Sequence, residues 1–191
     1  VDENNNIFFN LGYISKAPRF NNVYYYDNTL FRDIKNEIVK AFEWGHSFRS
    51  STYSSNLNVY HTEWENKPSN GGVTVMVDDI PYRANINGMN ALHKGVELDF
   101  SIRLSPKFTF EALLSAGNWI WTSSDTVRFL DDNNNPVTDD FGNEIIANFD
   151  AEGVHVGDAA QHQKGFSLRY EPNRDVYIKI RGTKFSRYFA D

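Results

Sequence analysis

The chain has 191 residues and carries no cysteine, which excludes a disulfide-stapled scaffold and any thiolate metal site. Its formal charge of −6 comes without a basic stripe, so a nucleic-acid partner is not expected. The composition is 40% hydrophobic and 15% aromatic, yet no run of about 18 apolar residues occurs, which excludes a transmembrane helix and leaves membrane strands open.

In chain order the sequence reads as strands separated by turns of two very different lengths. The first strand is expected over Ile7 to Ser15. A long polar segment follows from Lys16 to Asn36, and Leu30 to Val39 carries the one helical pattern, a turn or two at most. Glu37 to Arg49 and Thr52 to Trp64 form the next pair, joined at Ser50-Ser51. Ile38, Phe42, Trp44 and Phe48 alternate with Glu43, Gly45, Ser47 and Arg49. In the partner strand Tyr53, Leu57 and Val59 alternate with Ser54, Asn56, Asn58 and Thr62. Period two of this kind marks a strand with two unlike faces.

A second long segment runs from Glu65 to Asn90, before Ala91 to Leu104 and Lys107 to Trp121 pair across Ser105-Pro106-Lys107. Here Val96, Leu98, Phe100, Ile102 and Leu104 oppose Glu97, Asp99, Ser101 and Arg103. The third long segment, Thr122 to His162, is rich in Asn and Asp. The last strands, Gln163 to Tyr170 and Val176 to Phe189, are joined by Glu171 to Asp175, with Ser167, Arg169, Lys179, Arg181 and Thr183 on the polar side. Seven strands with tight turns on one side and long loops on the other have the asymmetry of a transmembrane barrel; a soluble sandwich has moderate loops at both ends. Phe48, Tyr53, Phe108, Phe110 and Tyr170 gather beside the tight turns, where an aromatic girdle belongs. Lys40, His61, Glu63 and Lys94 share the apolar parity near the long-loop ends, and His46 near a tight turn, where headgroup-level placement and snorkelling accommodate them.

Four stretches carry a family resemblance: "NLGYISKAPRFNNVYYYDN" (Asn10 to Asn28), "NEIVKAFEWGHSFRSSTYSSNLNVYHTEWEN" (Asn36 to Asn66), "NGMNALHKGVELDFSIRLSPKFTFEALLSAGNWIW" (Asn87 to Trp121) and "GVHVGDAAQHQKGFSLRYEP" (Gly153 to Pro172). In this order they resemble the barrel of TonB-dependent outer-membrane receptors, of a Bacteroidetes-like kind. The resemblance implies a contiguous part of a barrel of about 22 strands, from its C-terminal half. It implies a Gram-negative outer-membrane location and uptake of a scarce nutrient (siderophore-iron, cobalamin or oligosaccharide) driven by proton-motive force. The expected partners are the lipid bilayer, the remainder of the barrel, a plug domain, TonB through a segment outside this chain, and the ligand. Residues 1–191 are expected to be one barrel portion without a plug.

Enzymatic chemistry, a cofactor and a metal site are not expected. The run Asp131 to Glu144 places Pro136 where a calcium loop needs Gly and Gly142 where it needs Glu. His155, Asp158 and His162 share a loop without recognised ligand spacing. Glu97, Asp99 and Glu111 could oppose each other as a glycosidase pair, but lumen lining explains them with Arg103. The ligand-contact candidates are the aromatics Tyr24, Tyr25 and Tyr26 in the first loop, and Trp64, Trp119 and Trp121 at strand ends on the polar parity. The alternatives are a soluble β-sandwich binding a carbohydrate-type ligand, and a passive porin-like barrel.

Overall fold

The computed structural model describes residues 2–24, 30, 34–67, 73–84, 86, 88–131, 133, 135–157 and 159–189. In chain order the strands are β1 (Asn5–Lys16), β2 (Glu37–Arg49), β3 (Tyr53–Lys67), β4 (Val73–Val77), β5 (Ile80–Ala84), β6 (Met89–Ser105), β7 (Phe108–Trp121), β8 (Asp125–Arg128), β9 (Ile146–Phe149), β10 (Ala160–Tyr170) and β11 (Ile178–Tyr188). Seven of them form one antiparallel sheet in the order β1-β2-β3-β6-β7-β10-β11. These are the seven strands expected from the alternation. The remaining four make two small hairpins, β4-β5 and β8-β9, inside the second and third long segments.

The helical turn expected over Leu30 to Val39 is not formed where it can be seen. Phe31 to Asp33 lie outside the described residues, and from Glu37 onward the chain is strand. β-branched Ile38 and Val39 pair there with Glu65 and Trp64. A single helical turn forms earlier, α1 (Phe20–Val23).

Register assigns every side chain of the large sheet to a face. One face carries Ile7, Phe9, Leu11, Phe42, Trp44, Leu57, Val59, Val96, Leu98, Phe100, Phe110, Leu114, Phe166, Leu168, Ile178 and Ile180. Among the described residues no second layer covers it. Leu11 is 84% exposed and Ile180 67% exposed, and none of this set belongs to the buried core. A two-layer sandwich would have buried these residues, so the described residues do not form the sandwich of the alternative reading.

The upper edge of the apolar face has a definite slope. A single row of paired residues runs Ile7, His46, Leu57, Leu98, Leu114, Lys164, Lys184 across the seven strands. Towards the long loops, the first polar residue past the apolar band is Ser15 in β1, Lys40 in β2, His61 in β3, Lys94 in β6 and Asn118 in β7. In β10 and β11 it is Lys164 and Lys184, on the row itself. The edge therefore drops about eight residues (about 26 Å) over six strand spacings (about 29 Å), the geometry of strands tilted about 40° through a flat slab. From Phe108 to Asn118, roughly ten steps of about 3.3 Å at that tilt give about 25 Å, the height of a membrane barrel's apolar band. At the lower edge Phe48 packs on Tyr53 and Phe108 stacks on Tyr170, at 5.8 and 4.7 Å between ring centres. The aromatics expected beside the tight turns are therefore found together there.

The buried core lies in the long loops. Ala84, Ile86, Met89, Val127, Phe129 and Val137 form it, with Val73, Val75, Val77, Tyr82, Trp121, Ile145, Ala147, Phe149 and Ala151 packed against them. Both small hairpins thus dock onto each other and onto the end of β7. The Asn- and Asp-rich run between β8 and β9 folds as a repeated unit. Phe129, Val137 and Ile145 are linked in series by Val137 N–H to the Phe129 carbonyl and Ile145 N–H to the Val137 carbonyl. Asp131 and Asp139 close the two intervening turns.

Candidate functional site

The opposite face of the sheet is polar. Glu43, Asn56, Asn58, Glu97, Asp99, Arg103, Glu111, Arg169, Lys179 and Arg181 all fall on it by register. Asp99 and Glu111 have local partners. Asp99 accepts from the Asn56 side chain at 2.9 Å, and Glu111 accepts from Ser167 at 2.7 Å and Lys179 at 2.5 Å.

At the long-loop end of this face the sheet gathers rings. Trp64 pairs across the strands with Ala91, and Ala91 with Trp121; Thr62 pairs with His93, and His93 with Trp119. The His93 ring therefore lies between two indoles, stacked on Trp119 at 5.2 Å and tilted against Trp64 at 5.8 Å. The Trp119 indole N–H donates to the Tyr60 hydroxyl at 2.9 Å. Tyr60 crosses Gly95, where a Cβ would lie 2.5 Å from its hydroxyl, so any side chain at that position would push the ring away.

A β-bulge brings a cation to this wall. Pairing shifts between Trp64/Ala91 and Lys67/Met89, so three steps on β3 match two on β6. Asn66 takes a left-handed φ of 55°, and Gly88 opposite has φ 132°. The bulge is pinned by Asn66 N–H donating to the Asn90 side chain and the Asn66 amide donating to the Asn36 carbonyl, both at 3.2 Å. The outcome is that Lys67 reaches the same face as Trp64. Its Nζ sits 5.3 Å from the Trp64 ring centre and 5.3 Å from that of Trp121. Each contact of this kind is worth about 0.5–2 kcal/mol.

The wall is stiffened from behind. Gln161, only 1% exposed, donates to the Trp119 carbonyl at 2.9 Å and accepts from the Trp119 N–H at 3.3 Å. Trp121 exchanges backbone hydrogen bonds with Val154 and Gly153, both at 2.9 Å. Trp64 Nε1 and His93 Nε2 are buried without a hydrogen-bond partner among the described residues. Indole faces, a fixed ammonium and two unpaired ring nitrogens together suit a ligand with a flat surface and acceptor oxygens.

The structure thus joins three of the expected candidates, Trp64, Trp119 and Trp121. Tyr24 is elsewhere, stacked on Phe20 at 4.9 Å; Tyr25 and Tyr26 lie outside the described residues. His93, Lys67 and Tyr60 belong to the wall and were not among the candidates. His93 was open to detection, because it shares the parity of Trp119 on the neighbouring strand. Lys67 was not, since the bulge reverses the parity that strict alternation assigns it.

The histidines of the third long segment do not meet as a metal site. His162 is in β10, paired with Ala116 and Ser186, while His155 contacts the Trp119 carbonyl and Arg187. Asp158 lies outside the described residues, and no group of three ligating side chains occurs among the described ones. The acidic turns are likewise self-satisfied. The Asn135 backbone N–H and side-chain amide, then the Asn133 N–H, hold the Asp131 carboxyl below its usual range. The Asn143 amide and N–H, with Phe141 and Gly142, do the same for Asp139.

A carboxyl whose folded value is depressed stabilises the turn above its unfolded value of 3.8 and loses that contribution as pH falls through the folded value. Amide exchange corrected for intrinsic rates should therefore show Asn135 and Asn143 protected at neutral pH and deprotected in acid, at a pH below 3.8. Asn148, which pairs with Thr126 instead, should not follow them.

Comparison with known proteins gives a consistent picture. The family model described as TonB dependent receptor-like, beta-barrel matches residues 1–189. Among solved structures, the FrpB iron transporter from Neisseria meningitidis (F3-3 variant) is similar, with TM-score 0.51 and 14% identity. The similarity covers 90% of this chain and 30% of that one, so the chain spans under a third of that transporter's length. No curated protein matches.

Proposed function

Since this chain belongs to the TonB-dependent receptor-like β-barrel family, we propose that it is a wall segment of an outer-membrane transporter that captures a scarce nutrient and imports it with TonB-coupled energy. Members of this family are outer-membrane proteins of Gram-negative bacteria. The observation that carries the proposal is the oblique, uncovered apolar band, which fits tilted strands crossing a bilayer and leaves the charged face towards a lumen.

In this reading the sheet is completed by further strands. β1 and β11 each have one unpaired edge, and unpaired edges in a membrane demand neighbours. The plug and the TonB-engaging segment are supplied by sequence outside residues 1–191. Ligand meets the wall of Trp64, His93, Trp119 and Trp121 beneath the docked loops, with Lys67 as the fixed charge, and Tyr24 is a further aromatic candidate. Binding and release are the whole chemistry, with no covalent step. Iron chelates are the first substrate class to try, because the similar transporter is described as carrying iron; cobalamin and oligosaccharides come next.

The test is accumulation of labelled ferric chelates, cobalamin and oligosaccharide by cells expressing the complete barrel protein, with and without TonB. Uptake of one of these that needs TonB and falls about two- to tenfold in Trp121→Ala supports the proposal, stacking being worth roughly 0.5–1.5 kcal/mol per ring pair beyond the buried area. Uptake indifferent to TonB would instead identify the passive porin-like barrel.

A further inference from the structure

Among the described residues, the Lys, Asp and Glu side chains of the apolar face lie only along its upper edge, and their balance changes across the sheet. In β2 and β3 the edge is compensated: Lys40 pairs with Glu65, and His61 lies 3.2 Å from Glu63. In β6, β7, β10 and β11 the lysines and histidines on this face are Lys94, His162, Lys164 and Lys184, and no Asp or Glu of these strands shares it. Lys164 and Lys184 are directly opposite each other across β10 and β11. Both are exposed, and neither makes an ion pair among the described residues.

Like charges directly opposite on a sheet repel, and proximity to an apolar surface weakens solvent screening. Carboxylates that could relieve this lie on the other face, where Glu111 is already held by Lys179. Just below the pair, Phe166 and Ile180 begin the band that meets acyl chains. Among the described residues no carboxylate on this face neutralises the two ammoniums, whereas a lipid phosphate can reach them along the bilayer surface, joined to its own hydrophobic body.

We propose that Lys164 and Lys184 form a docking site for the phosphate of an anionic lipid at the loop-side boundary of the membrane. Lys94 extends the cationic edge, and His162 is next on the same face of β10. A headgroup phosphate bridges the two ammoniums while its acyl chains lie over Phe166, Leu168 and Ile180. The site fixes the height of β10 and β11 in the bilayer and bears on anchoring, separate from ligand capture. The inference rests on the membrane reading of the fold.

The experiment places the complete barrel protein in mixed bilayers and measures association of spin-labelled phosphatidylglycerol against spin-labelled phosphatidylcholine. The wild type should favour the anionic lipid roughly tenfold at low salt. The double variant Lys164→Gln/Lys184→Gln should lose most of that preference, while Lys107→Gln at the opposite, tight-turn side should keep it. Equal preference in the double variant and the wild type overturns the proposal. So does complete loss of the preference on adding inorganic phosphate at matched ionic strength, which would identify a free-anion site. Failure of the protein to insert counts against the membrane reading itself, whereas insertion without lipid preference counts against this site alone.

Discussion

Leu98→Arg should lower the folding stability of the complete barrel protein in a bilayer by about 2–4 kcal/mol, the price of a cationic side chain near the midplane of the lipid-facing surface. Leu98 pairs with Leu57 and Leu114, in the middle of the apolar band. One residue on, Asp99→Asn should change stability by no more than about 1 kcal/mol, because it removes a charge from a lumen-facing hydrogen bond to Asn56. Denaturant titration of the protein folded into liposomes gives both values. Adjacent residues with so different a tolerance are expected only when the two faces meet different solvents.

Gly88→Ala should be the most damaging small substitution near the candidate site. At φ 132° an added Cβ is strained in any surroundings, and here it would sit 2.3 Å from the Asn66 carbonyl carbon. About 1–3 kcal/mol of strain is expected if the bulge were to survive; its relaxation would carry Lys67 away from Trp64 and Trp121. The readout is indole fluorescence, whose response to neutralising Lys67 (Lys67→Met) in the wild type should be absent in the Gly88→Ala background. A double variant that still responds as the wild type does would show that the bulge does not position the lysine. Lys67→Arg keeps a cation over the rings and should leave the fluorescence closer to wild type than Lys67→Met does.

Alternation made the large sheet legible. Seven strands were foreseen with edges mostly within two or three residues, because each must present one face to an apolar medium and the other to water. The facing of Glu97, Asp99, Arg103 and Glu111 followed from the same parity. What alternation could not foresee lies where local pairing departs from it. β3 runs three residues past Trp64 because Asn66 accommodates a left-handed turn. β4, β5, β8 and β9 are four or five residues long, too short to stand out in segments otherwise filled with Asn and Asp. Those segments read as solvated loops, yet Ile86 and Phe129 are 2% and 1% exposed. Phe129, Val137 and Ile145 recur at eight-residue spacing, outside both the helix and the strand period, and the period-two runs beside them are too short to stand out. The helical pattern at Leu30 to Val39 yielded to the chance for Ile38 and Val39 to pair in β2.

The orientation of the sheet is best tested with thiols, since the chain has no cysteine of its own. Val96→Cys, Glu97→Cys, Leu98→Cys and Asp99→Cys, each carrying a small fluorophore in the complete protein, would be reconstituted in bilayers of brominated lipid. Bromine should quench positions 96 and 98 strongly and spare 97 and 99, which should respond to an aqueous quencher instead. The reverse order, or four labels that behave alike, would contradict a barrel wall with acyl chains on one side and water on the other.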